Sequence, residues 1–205
     1  ILMPDPEPLF AQIVDQAARR GWWLRSDGCE APAGAPSYVK PHLARWHDQV
    51  GFIAEASGGI NRSYQGDKVP VKSYMDGVLG DGPSVINLMG LWDLKDLPPS
   101  DIDVLRASAR KVGFRFTAEQ AVLPSSVESV PGRPVRIPGK IRIANRGVAA
   151  YHGSASIRIQ ARSNGKLLAE QALFPDPPLS RLAPGSSQDF PFLFSISPSL
   201  LSTSL

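Results

Sequence analysis

The sequence predicts an α/β segment followed by an all-β domain. The first is expected to be the C-terminal part of a (β/α)8 barrel, about three βα units over residues 1–117. The second is expected to be an Ig-like antiparallel β-sandwich over residues 118–205. Three observations predict this. Up to Gly113, helical periods alternate with short apolar runs at crossover lengths near 30 residues, which only parallel strands require. Beyond Gly113, Pro and Gly punctuate short runs with apolar residues at i and i+2. Between two such runs stands Asn164-Gly165, the pair that suits a type I′ hairpin.

In chain order, Leu9, Ile13, Val14 and Ala17 recur at helical spacing, and Gly21 ends that helix. Residues 22–27 read as a strand, 28–36 as a Gly/Ala/Pro loop and 37–48 as a helix. A second strand covers 51–55, followed by a Gly/Ser/Asn loop (57–63) and a helix over 68–79, with Pro70 tolerable only in its first turn. Residues 84–89 form the third strand, and a long loop carries Trp92 and Asp93. The fourth helix is expected to start at an N-cap Ser100, with Asp103 three residues on, and to bury Ile102, Leu105, Ala109 and Val112. Phe114 to Val122 leads into the second domain, where Val135–Ile137, Ile141–Ile143 and Ile157–Ala161 place apolar residues inward and Arg outward. Three units cannot close a barrel, so the remaining units are expected upstream of Ile1. The apolar run Phe190–Ile196, so near Leu205, likewise leads us to expect a chain cut short at both ends.

Of the 205 residues, 42% are hydrophobic and 20% charged, which excludes disorder as the overall state. The net charge of +3 is small and its basic residues are scattered, so no nucleic-acid partner is expected. No run approaches the ~20 apolar residues of a membrane span. Cys29 is the single cysteine, which excludes an internal disulfide and leaves the compartment open. His42, His47 and His152 lack metal-ligand spacing, and His42 and His47 read as a solvated helix face, so no metal site is expected. Nucleophile-elbow and phosphate- or dinucleotide-binding glycine motifs are missing, and no cofactor is expected. Oligomeric state is not legible.

Functional groups of α/β barrels sit where the parallel strands end. Side chains two apart share a strand face, so Trp23, Arg25 and Asp27 align, as do Gly51, Ile53 and Glu55, and Val85, Asn87 and Met89. Each strand thus ends in a polar group in phase with apolar or small residues before it. Glu55 reads as functional, because it ends an apolar strand, precedes a Ser-Gly-Gly loop and has no sequence-adjacent cation. Its alternative is a rim position, capping the next helix or paired with Arg62. Asp27 fits a role in chemistry, a pair with Arg25 or a loop cap. Asn87 suits a sugar hydroxyl or loop backbone groups. Trp92 suits a stacking platform for a sugar ring or a loop anchor, and Trp22 is expected to pack outward against helices.

Four stretches carry a resemblance: Gly21-Trp-Trp-Leu-Arg-Ser-Asp27, Phe52-Ile-Ala-Glu55, Val85-Ile-Asn87 and Lys111-Val-Gly-Phe-Arg-Phe116. Together they resemble bacterial glycosidase-like barrels of the β-galactosidase type, which carry a C-terminal sandwich of a bacterial domain-of-unknown-function family. Phe114 stands where that family usually has tyrosine. Ile143-Ala-Asn-Arg-Gly-Val-Ala149 looks like the family's asparagine-x-glycine-x-alanine turn. The resemblance implies that the three strands are the sixth, seventh and eighth of the barrel. Glu55 would then take the place of the nucleophile that ends the seventh strand in retaining barrel glycosidases, with Arg25, Asp27, Asn87 and Trp92 around a carbohydrate substrate. Retaining chemistry needs a second carboxyl about 5–5.5 Å away. In that clan it ends the fourth strand, which this chain lacks. The chain by itself is therefore expected to be marginally soluble and without hydrolase activity. The alternative it leaves is a non-catalytic carbohydrate-binding or structural module.

Overall fold

The computed structural model describes residues 8–26, 29, 35, 37, 39–55, 70–87, 97–173 and 178–198. Their contacts divide into two units. One comprises 1–115, 146–152 and 183–185, and the other 116–145, 153–182 and 186–205.

In the first unit, helices α1 (Pro8–Arg19), α2 (Lys40–Trp46), α3 (Val71–Gly80) and α4 (Pro99–Ala109) alternate with strands β1 (Leu24–Ser26), β2 (Phe52–Glu55) and β3 (Val85–Asn87). The strands are parallel, in the order β1-β2-β3, with Leu24 beside Phe52 and Ile53 beside Val85. Leu24, Phe52, Ala54 and Ile86 pack with Leu43 of α2, Val71, Tyr74, Met75 and Val78 of α3, and Ile102 and Leu105 of α4. Ala18 of α1 joins Trp46, Val50 and Leu24 in a second cluster. All four helices therefore cover the same sheet face, and alternation leaves Arg25, Ile53, Glu55, Val85 and Asn87 on the other.

The expected barrel is corrected here. Closure takes eight tilted strands, so that every strand has two neighbours. Among the described residues there is no closed barrel. The sheet has three strands, and β1 and β3 each have one neighbour. Local period and crossover length specify parallel βα units, but they do not specify how many units share a sheet.

Two helices also differ from expectation. The first turn of α4 is set by Pro98 and Pro99, and no side-chain cap forms at Ser100. A proline at the first helical position already has a helical φ and no N–H to satisfy, so the capping hydroxyl has little to do. Its buried residue is Ser108, and Ala109 is exposed. On α1, Ile13 is 55% exposed, whereas Asp15 faces α2, pairing with Arg45 at 2.6 Å and accepting the Trp46 indole N–H at 2.8 Å.

In the second unit, β4 (Phe116–Val122), β5 (Val135–Asn145) and β8 (Ser187–Ile196) form an antiparallel sheet in the order β4-β5-β8. β6 (Ile157–Ser163) and β7 (Lys166–Leu173) form a hairpin. At its tip Asn164 and Gly165 take φ of 48° and 79°, the left-handed pair that a type I′ turn requires. Ile143, Phe190, Ile157, Leu179 and Leu182 bury one core, flanked by Phe116, Ile141, Ile159 and Leu173. Two antiparallel sheets sharing a core fit a sandwich. The expected Ig-like form is not reached, because that form needs about seven strands and the described residues supply three and two. The two runs expected at 135–137 and 141–143 are one continuous strand. Pro138 interrupts nothing because β4 pairs only with residues 140–145, which leaves β8 as its single neighbour at Pro138.

Candidate functional site

Glu55 is the last residue of β2, and its side chain is 5% exposed. Two donors converge on one of its oxygens. Arg25 Nη2 lies 2.6 Å from Oε2, and Asn87 Nδ2 donates to the same Oε2 at 3.0 Å. Register explains both contacts. Asn87 is directly paired with Glu55, so a short amide reaches it. Arg25 is paired with Ile53, two residues short of Glu55. That gap of about 6.6 Å suits a long guanidinium side chain lying along the strands. Among the described residues, no donor lies on Oε1.

Behind the carboxylate, the Cys29 N–H donates to the Glu55 carbonyl at 3.0 Å, and its thiol donates to the Ser26 carbonyl at 3.4 Å. Cys29 is fully buried and ties the chain leaving β1 to the end of β2. Sequence reasoning missed this residue. The one signal it offers is a small apolar side chain in the Gly/Ala/Pro-rich loop 28–36.

Away from the polar end, the same sheet face is apolar. A Cβ on Gly51 would lie 2.5, 2.6 and 2.8 Å from Cδ2, Cε2 and Cε3 of Trp23, so the indole fills the space that a side chain on Gly51 would need. Trp23 is 50% exposed and Val85 43%. Trp22, expected to pack against helices, is 62% exposed instead. Thus β1, β2 and β3 bring Arg25, Glu55 and Asn87 together. Asp27, Trp92, Arg62 and the Ser57-Gly58-Gly59 loop lie outside the described residues.

The histidines stand apart from this site. His47 places Nδ1 2.9 Å from the Leu43 carbonyl and Nε2 3.1 Å from Asp48. Among the described residues, His152 Nε2 is buried without a hydrogen-bond partner. Burial pushes the His152 imidazole below its ordinary 6.5, against an opposing pull from Asp48. Lys40, His47, Asp48 and Asp81 line a cleft of about 550 Å3 with Leu43 and Leu79. Its charges are committed to one another, with Lys40 3.9 Å from Asp81 and Asp81 accepting the Ala35 N–H at 2.5 Å. Among the described residues, no three His, Cys, Asp or Glu gather to hold a metal ion, and no helix is long and apolar enough to cross a membrane. No protein-family model, curated protein or solved structure matches this chain.

Proposed function

We propose that this chain acts on carbohydrate as part of a glycoside hydrolase, with Glu55 as the nucleophile of a retaining reaction. The observation that carries the reading is a nearly enclosed carboxylate at a parallel strand end, with one oxygen held by Arg25 and Asn87 and the other without a described donor. A carboxylate held in this way attacks an anomeric carbon and forms a glycosyl ester, which water then hydrolyses. The acid that protonates the departing oxygen is not among the described partners of Glu55. The proposal includes Asp27 and Trp92 as sugar-contacting residues.

A second reading is a non-catalytic carbohydrate-binding module. The 2.6 Å ion pair favours it, because a carboxylate already matched by a guanidinium can serve as a purely polar wall. Kinetics separate the two readings. In the protein that contains this chain, Glu55→Gln should lower kcat on aryl glycosides by about 10³-fold or more with the fold unchanged, since only the covalent step is lost. Azide should partly restore turnover to Glu55→Gly by supplying a small external nucleophile. Turnover by Glu55→Gln near the wild-type rate would end the nucleophile assignment. Sugar binding without turnover by the wild-type protein would favour the binding module.

A further inference from the structure

Resting on the hydrolase reading, we propose that Arg25 and Asn87 act on Glu55 and not on the sugar. They are positioning residues that hold Oε2 and leave Oε1 as the attacking atom. The terminal torsion of a glutamate is broad and two-fold, so an unheld carboxylate presents either oxygen over a wide range of angles. Here it is gripped from both sides, by Arg25 of β1 and Asn87 of β3, and both contacts fall on the same oxygen. Two donors from opposite neighbouring strands restrain the plane of the group as well as its distance. One guanidinium nitrogen and the amide thereby engage the carboxylate before any sugar arrives.

The chemistry has consequences at each oxygen. In the first step an Oε1 electron pair forms a bond to the anomeric carbon. The bond from that carbon to the leaving oxygen breaks, and the leaving group takes its electron pair. Oε2 becomes the ester carbonyl. In the second step a water oxygen bonds to the anomeric carbon and releases a proton to solvent. The bond to Oε1 breaks, and the electron pair returns to the carboxylate. Donors already aimed at Oε2 receive that returning charge without rearrangement.

The test uses 2,4-dinitrophenyl 2-deoxy-2-fluoro-β-glucoside and β-galactoside. Their phenolate leaves without protonation, so no acid is required. Labelling of Glu55 is followed by intact mass and peptide mapping across a concentration series, giving a maximal rate and a half-saturation concentration. We expect Asn87→Ala and Arg25→Met to lower the maximal rate about 100-fold while half-saturation stays within about twofold, the signature of a misaligned nucleophile. Arg25→Lys restores the charge without the planar fork, and should recover part of the rate. If instead half-saturation rises and the maximal rate holds, both residues bind sugar and the positioning role is overturned. Unchanged labelling in folded Asn87→Ala overturns it equally. Labelling is carried out on the folded protein that contains this chain, and if that wild-type protein takes no label from either glycoside, the hydrolase reading itself falls. Circular dichroism of each variant separates these outcomes from unfolding.

Discussion

Glu55 and Arg25 differ sharply in exposure, 5% against 55% for their side chains, and that asymmetry determines what each substitution does to stability. Removing Arg25 leaves a nearly buried carboxylate with Asn87 as its remaining described partner. Removing the charge of Glu55 leaves an Arg that solvent already reaches. Arg25→Met should therefore destabilise the fold by about 1–3 kcal/mol, the cost of leaving a buried polar group short of a partner. Glu55→Gln should cost less, and the double variant should be more stable than the sum of the two losses predicts. Urea unfolding of the four proteins measures this coupling. Strict additivity would mean that the 2.6 Å pair contributes nothing in solution.

At the scale of elements, two glycines make opposite demands. Gly147 lies in the asparagine-x-glycine-x-alanine turn, where a Cβ would overlap the backbone carbonyl of Gly113. Backbone cannot step aside cheaply, particularly where the Gly113 carbonyl also accepts the Ala149 N–H at 3.0 Å. On Gly139 of β5 a Cβ would meet the end of the Phe192 ring and a methyl group of Leu123, both of which can swing away. Gly147→Ala should accordingly cost about 3 kcal/mol or more, and Gly139→Ala about 1 kcal/mol. Thermal unfolding ranks the pair, and the reverse order would show that the turn relaxes more easily than the ring. The turn's Asn145 is fully buried in the second unit, donating from Nδ2 to the Leu182 carbonyl at 3.3 Å. The motif thus combines a hydrogen-bonding anchor with a residue that must lack a side chain.

At the scale of the whole molecule, one surface carboxylate contributes to the response to acid. On the outward side of the β4-β5-β8 sheet, Asp189 accepts from Arg142 at 2.7 Å and from Lys140 at 2.8 Å. These bonds, Arg142's first, hold its carboxyl at about 2, below the ordinary 3.8. A carboxyl with a lowered folded-state pKa binds its proton more readily in the unfolded chain. Its contribution to stability is therefore complete above pH 3.8 and is lost as pH falls from there towards about 2. The site is exposed, so the effect is small and shrinks with added salt. Urea midpoints measured from neutral pH down to 2 should show a shallower acid decline for Asp189→Asn than for the wild type. Identical declines would place the acid-sensitive group elsewhere.

How much of this was legible depended on the range over which each interaction acts. Local geometry was legible because chain neighbours enforce it. The crossover lengths imply parallel strands, Asn164-Gly165 implies a turn with two positive φ values, and two-residue alternation puts Arg25, Glu55 and Asn87 in phase on one face. The sequence by itself also determined that one cysteine forms no internal disulfide and that the histidines lack ligand spacing. Only the tertiary structure decided how many strands share each sheet, since open and closed sheets use the same local alternation. It alone placed Cys29 behind Glu55, laid Trp23 on Gly51 and left Trp22 in solvent, because burial depends on which distant segments arrive. And it alone brought both donors to Oε2, a matter of strand register and side-chain reach across three strands that no spacing along a single chain records.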